Sequence, residues 1–207
     1  MDSSSVAGAT VFKARTSRWF TGLAVLVTAG GLASVVATDG PAGLLTAWPL
    51  LGIAYGGWWL FWYPAVLVAE DAVTLRNPLV TVRVPWNALI DVDTRYALKL
   101  VTPSRGYTAW AAPAPGVWGT HSGKVEHLTN LPSTSYGPGG SVRPGDLKNT
   151  DSGHAAYLVR SRWQELVETG RLDVDRPEKA QRRWNLAPLA AGVLLVVATA
   201  LTFGVIS

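Results

Sequence analysis

The sequence predicts an α+β membrane protein: three transmembrane helices enclosing one small antiparallel β domain, which an amphipathic helix caps. Three observations predict it. Trp19–Thr38, Gly40–Ala69 and Leu186–Ser207 carry no Asp, Glu, His, Lys or Arg. Between Val66 and Ala112 apolar residues recur with period two. After residue 150 they recur at helical spacing.

The chain opens on a tail, 1–18, with Lys13, Arg15 and Arg18 just before the first uncharged stretch. Each such stretch has at least about 20 residues, and at ~1.5 Å rise per residue a helix of that length crosses the ~30 Å hydrocarbon core of a bilayer. Pro64 ends the second helix, so the first two spans are read as about 19–38 and 44–64. Trp19 and Phe20 open the first span, Trp58, Trp59, Phe61, Trp62 and Tyr63 crowd the end of the second, and Trp184 introduces the third. Amphipathic rings favour the headgroup layer, so these positions mark interfaces.

Lys and Arg collect on the cytoplasmic side of spans. The tail has three basic residues against Asp2, whereas the connector between the first two spans has only Asp39. Lys179, Arg182 and Arg183 precede the third span. A plasma-membrane protein is expected, with N-terminus and domain in the cytoplasm and the C-terminus outside. Val35-Val36-Ala37 also fits a signal-peptide cleavage site, but the apolar run before it is long for a signal h-region.

Small residues recur at four-residue spacing at Gly52 and Gly56, Ala29 and Ala33, and Ala200 and Gly204. Such pairs let helices approach closely, either within the chain or in a homo-oligomer through Gly52 and Gly56. None of the three stretches holds the intramembrane charge that transport pathways use, which argues against a transporter.

The domain is read as 65–170. Val66 and Val68, Val73 and Leu75, Val80, Val82 and Val84, Val92, and Leu98 and Leu100 alternate with other residues. Turn signals separate them at Glu70-Asp71-Ala72, Asn77-Pro78, Pro85-Trp86-Asn87 and Pro103-Ser104-Arg105-Gly106. A last run, Tyr107–Ala112, turns Tyr107, Ala109 and Ala111 to one face and Thr108 and Trp110 to the other. Five or six such strands must curl into a barrel or sandwich to bury one face. Pro113–Thr150 then holds five prolines and seven glycines without clear periodicity, with room for short strands near Val117–Trp118 and Lys124–Leu128. Asp151 or Ser152 is the expected N-cap of a helix whose stripe is Ala156, Val159, Trp163, Leu166 and Val167. Arg160, Arg162, Glu165 and Glu168 lie off that stripe, Gly170 stops the helix, and 171–185 reads as a basic linker.

The segments Val73-Thr74-Leu75-Arg76-Asn77-Pro78-Leu79, Arg83-Val84-Pro85-Trp86 and Ile90-Asp91-Val92, with Trp110-Ala111, resemble the bacterial pleckstrin-homology-like (PH-like) domains of small actinobacterial membrane proteins. The resemblance implies a split β-barrel capped by a C-terminal helix. It departs from the family at Glu70-Asp71-Ala72, where glycine is common, and in the long insertion before the helix.

Arg76 and Arg83 are the candidate ligand- or partner-binding residues. Both point away from the buried valines, and like charges on neighbouring strands repel unless an anion sits between them. A register that keeps them apart is the alternative. Trp86 and Trp163 read as packing anchors. His121, His127 and His154 lack a metal-ligand spacing, and the chain has no cysteine. Asp91 and Asp93 read as solvated strand charges rather than a glycosidase pair. Gly137–Gly140 contains Pro138 and reads as a turn, not a phosphate loop.

No catalytic set, cofactor motif or basic stripe for nucleic acid emerges, although the net charge is +4. The expected function is a non-catalytic, membrane-anchored adaptor that binds a protein partner or anionic lipid headgroups. Alternatives are a structural subunit acting through its spans, and an enzyme built on His121, Lys124, Glu126 and His127.

Overall fold

The structure is a computed structural model that describes residues 4–6, 9–115, 144–147, 150–172 and 178–206. The possible strands near Val117 and Lys124, the Gly137–Gly140 turn, His121 and His127 lie outside them.

Antiparallel sheets and helices make an α+β architecture. A six-stranded sheet takes the order β1 (Ser4–Val6), β2 (Ala9–Phe12), β3 (Ala65–Val68), β4 (Ala72–Arg76), β5 (Val80–Pro85) and β9 (Gln181–Trp184). A second sheet joins β6 (Asp91–Asp93), β7 (Ala97–Val101) and β8 (Gly106–Pro113). Two of these strands fall in the segment read as a tail and one in the segment read as a linker. They were missed because strands of three or four residues carry little alternation, and all four side chains of β9 are exposed.

The period-two reading places the core correctly. Val66, Val68, Val73, Leu75, Val82, Val84, Val92, Leu98 and Leu100 are buried, and Phe12 joins them from the N-terminal arm. An irregular register between β7 and β8 lets Ala111 and Ala112 both turn inward. Two-residue turns at Glu70-Asp71 and Pro78-Leu79 set the register of β4, pairing Thr74 with Arg83 and Arg76 with Thr81.

Helix α3 (Asp151–Glu168) covers the open end between the sheets. Its N-cap is Thr150, one residue before the expected position, whose hydroxyl accepts from the Gly153 N–H at 3.0 Å. A Cβ at Gly153 would overlap the Leu147 carbonyl, so glycine is required there. The stripe is Ser152, Ala155, Ala156, Val159 and Leu166, with Trp163 packed at its edge. Val167 is exposed instead. Arg160 turns inward because Asp146 is buried beside it: the guanidinium bonds Asp146 at 2.9 Å and the Val92 carbonyl at 2.6 Å. Gly170, at φ +64°, ends the helix with bonds from Gly170 N–H to Val167 O and from Arg171 N–H to Leu166 O.

Outside the domain, α1 (Arg15–Asp39) has 25 residues, ~37 Å at the α-helical rise, and within it an 18-residue stretch with a mean hydropathy of 1.9. Among the described residues it is the one helix long and apolar enough to cross a membrane, so three transmembrane helices are not established. The second stretch is not a single helix. It divides into a 3-10 segment, Pro41–Thr46, then α2 (Trp48–Gly57), then a π-helical turn, Trp58–Trp62. Pro49 explains the first break: it lacks the N–H and its ring would clash with the carbonyl four residues back, so a helix starts there rather than passing through. Helix α4 (Leu186–Ile206) is apolar over its described side chains, Leu186–Thr202.

Helices α1 and α2 pack through a stripe at 4-3-4-3 spacing: Ser17, Thr21, Ala24, Thr28 and Gly31. Thr28 donates to Leu50 O at 3.1 Å, Thr21 to Gly57 O at 3.4 Å, and Ser17 to Phe61 O. A Cβ at Gly57 would overlap that of Ala24. Gly52 and Gly56 have open space where a side chain would begin, so the close approach falls on Gly57 instead.

Candidate functional site

The end of the second helical stretch is the junction between helices and domain. The last carbonyls of a helix have no intrahelical donor, and Pro64, without an N–H, removes one more. The domain and α1 supply the missing donors. Trp110 Nε1 donates to Leu60 O at 2.8 Å, Ser17 Oγ to Phe61 O, and Arg76 Nε to Tyr63 O at 2.9 Å. Arg76 also lies over the Tyr63 ring, 5.0 Å from its centroid, and Lys13 Nζ lies 4.2 Å from the centroid of Trp62. Two cations at a helix C-terminus complement its partial negative charge.

Arg76 and Arg83 are therefore diagonal neighbours on one face, each with its own partner: Arg76 caps Tyr63, and Arg83 pairs with Asp71 in the Glu70-Asp71 turn. The structure does not bring them together around a common position.

The Asn77-Pro78 turn shows why this dipeptide matters. Asn77 donates to Thr108 O at 2.9 Å and accepts from Trp110 N–H at 2.8 Å, tying the turn to β8. Asn185, just before α4, donates to Asn77 O at 2.7 Å and accepts from Thr81 Oγ1 at 2.8 Å. Trp59 Nε1 donates to Pro78 O at 3.0 Å. One turn thus clasps both sheets, the second helix and the start of the third. Sequence reading marks Asn77-Pro78 as a turn but not as the tie to β8, and it missed Asn185; an asparagine opening a helix is the signal that marks the latter.

Trp86 is buried, its indole donating to Ala69 O at 3.2 Å. Of the membrane-surface basic residues, Lys13, Arg15 and Arg18 sit where β2 turns into α1, and Lys179, Arg182 and Arg183 line the exposed approach to α4, with Arg182 over Trp184. Burial and the nearby Arg76 guanidinium lower the Lys13 pKa from its ordinary value.

Asp151 and His154 sit at the start of α3, where Asp151 accepts from the Arg15 N–H at 3.1 Å and His154 meets Phe12 edge-on. Burial raises the Asp151 pKa, and burial together with Arg15 lowers that of His154. The partly buried His154 binds fewer protons than the unfolded chain, so the stability present above its ordinary value of 6.5 is lost as pH falls below it. Asp151 acts oppositely in the window above its ordinary value of 3.8. The melting temperature of the wild type, relative to His154→Gln, is expected to fall between about pH 7 and about pH 5.5. A difference that stays constant over that range would remove His154 as the responsible group.

Asp91 is exposed, and Asp93 accepts from Arg95 N–H at 3.1 Å in a local turn. Among the described residues no three His, Cys, Asp or Glu side chains group as metal ligands.

A sheet pair closed by a helix, with an Asn-Pro turn and a buried tryptophan, is the architecture that the PH-like resemblance implies. Residues 63–122 match the family model described as a bacterial PH domain, which supports a bacterial PH-like domain in this part of the chain. No curated protein and no solved structure matches the chain.

Proposed function

We propose that this is a non-catalytic, membrane-anchored adaptor that holds its PH-like domain against the cytoplasmic face of a bacterial plasma membrane, where it engages a protein partner. PH-like domains act generally as binding modules without chemistry of their own, which supports the adaptor role at the level of the class.

One observation carries the membrane part. Strand β2, before α1, pairs with β3, after the second helical stretch, with Phe12 opposite Val66 and Thr10 opposite Val68. Both ends of the α1–α2 pair therefore lie on one side. If α1 crosses the bilayer, Pro41–Trp62 has to bring the chain back. Strand β9, paired with β5, holds the start of α4 to the same side. The α2 and π segments together rise only roughly 22 Å at 1.5 Å per residue, so the return is made with the aromatic cluster at the interface. The basic residues flanking α1 and α4 favour the cytoplasm for that side.

Because the helix end is bonded to Trp110, Ser17 and Arg76, the domain is held rather than swinging on a linker. A held domain presents a fixed face at high effective concentration to other membrane-bound proteins. Tyr96, 84% exposed, and Ile90, 54% exposed, bracket β6 and offer apolar contact points for a partner.

The chain contains no cysteine, which makes it a ready template for topology mapping. Asp39→Cys is expected to react with an impermeant maleimide in intact cells, and Tyr96→Cys only after permeabilisation. The reverse pattern, or labelling of both in intact cells, would overturn the orientation. For the adaptor role, a photo-crosslinking residue in place of Tyr96 should yield one discrete adduct in membranes. Its absence favours a structural subunit acting through the helices.

A further inference from the structure

A groove of about 980 Å³ runs along α1 beside the N-terminal arm. Its domain end is lined by Lys13, Arg15, Arg18 and His154 over the apolar floor of Val11 and Phe12. Trp19 and Trp62 flank the middle, and Gly22, Leu23 and Leu26 line the far end. From Arg15 to Leu26 the helix rises about 16 Å, so the lining passes from cationic to aromatic to aliphatic along a path perpendicular to the membrane plane. This gradient matches one molecule type: a negatively charged head, an interfacial glycerol region and a hydrocarbon tail.

Lys13 adds a specific reason for an anion. It is partly buried against Trp62, Arg76 lies nearby, and no carboxylate among the described residues pairs with it. A partly desolvated ammonium facing another cation gains from a phosphate that restores charge balance. Arg15 and Arg18 hold other contacts too, and only their positive charge needs to reach the groove.

We propose that this groove binds one anionic phospholipid of the cytoplasmic leaflet, its phosphate held by Lys13, Arg15 and Arg18 and one acyl chain lying along Gly22, Leu23 and Leu26. Such a site needs α1 in the membrane, as inferred above, and is built on the β2–α1 segment, outside the residues 63–122 that match the PH family model. An acidic peptide would satisfy the cations but not the aliphatic end, and the apolar length along a membrane helix favours lipid.

Native mass spectrometry of the full-length protein, released from mixed micelles of phosphatidylglycerol and phosphatidylcholine, tests it. The wild type is expected to retain one phosphatidylglycerol in preference to phosphatidylcholine. Lys13→Gln with Arg18→Gln should weaken retention on the order of 30-fold, at about one membrane-surface charge's worth of attraction per residue. Arg182→Gln with Arg183→Gln removes equal charge outside the groove and should leave retention unchanged. Gly22→Leu keeps every charge and fits without a clash, because nothing lies within 4 Å of a Cβ at Gly22. It should displace the lipid by occupying the apolar end, and it also improves helix propensity, so misfolding would not explain the loss.

Equal retention of both lipids would overturn the site, as would equal losses in the two double variants, which signify diffuse surface charge. Displacement of the lipid by inorganic phosphate at micromolar concentration would identify a soluble-anion site instead and also overturn it. Failure of the wild type to sediment with alkaline-washed membranes would sink the membrane reading itself. A membrane-embedded protein without lipid selectivity would sink only the groove.

Discussion

Asp146→Ala is expected to destabilise the domain by about 3–5 kcal/mol, the usual cost of breaking a buried ion pair from one side. The Asp146 side chain is 2% exposed. It accepts from Thr94 Oγ1 at 2.7 Å and from Arg160 at 2.9 Å, while Arg160 also donates to Val92 O. Alanine leaves a largely buried guanidinium without a counter-ion and a buried hydroxyl without its acceptor. The damage also spreads locally: Leu147, next in sequence, accepts from the Thr150 hydroxyl that caps α3. The control is Asp146→Leu combined with Arg160→Leu. Replacing both charges with apolar groups removes the uncompensated ion, so the double variant should recover most of the loss. Urea unfolding in micelles, followed by near-ultraviolet circular dichroism, reads the difference. A cost under about 1 kcal/mol for Asp146→Ala would show that the pair does not clamp α3 to β6.

Trp86→Ala should cost a similar amount, about 3–5 kcal/mol, through a different mechanism. Trp86 opens the turn Trp86–Ala88 between β5 and β6, where the chain leaves one sheet for the other, and it is 3% exposed. Its removal opens a cavity at the seam of both sheets. Trp86→Phe separates packing from hydrogen bonding: it keeps a ring and loses only the bond to Ala69 O, for about 1 kcal/mol. If the phenylalanine variant were as unstable as alanine, the indole bond rather than volume would be the dominant contribution.

Much of the domain was legible because burial leaves a periodic trace. Val73, Leu75, Val82 and Val84 alternate in sequence and all face one core. The junction was not legible, since its partners are distant in sequence and its acceptors are backbone. Nothing beside Arg76 marks Tyr63 O as its partner, so an arginine that caps a helix reads as an arginine awaiting a ligand. Arg160 misleads for the same reason: on a helical wheel it lies off the stripe, and only the arrival of Asp146 from the insertion turns it inward. The helix interface escaped notice because close-approach pairs were sought among residues four apart. The stripe in use alternates hydroxyl and small side chains at Ser17, Thr21, Ala24, Thr28 and Gly31, whose hydroxyls bond across to α2.

The pairing of β2 with β3 has a consequence for biosynthesis. In an ordinary hairpin the two strands meet as soon as a short loop is made. Here the loop between Phe12 and Ala65 is the whole α1–α2 segment, so the ladder forms only after both helices have reached their places. A chain inserted with α1 across the bilayer and α2 left behind would strand Phe12 on the far side, leaving its place in the core empty. If α1 crosses a bilayer, completion of the sheet thereby acts as a topological checksum: a folded domain then reports that the helical segments beside it were inserted correctly.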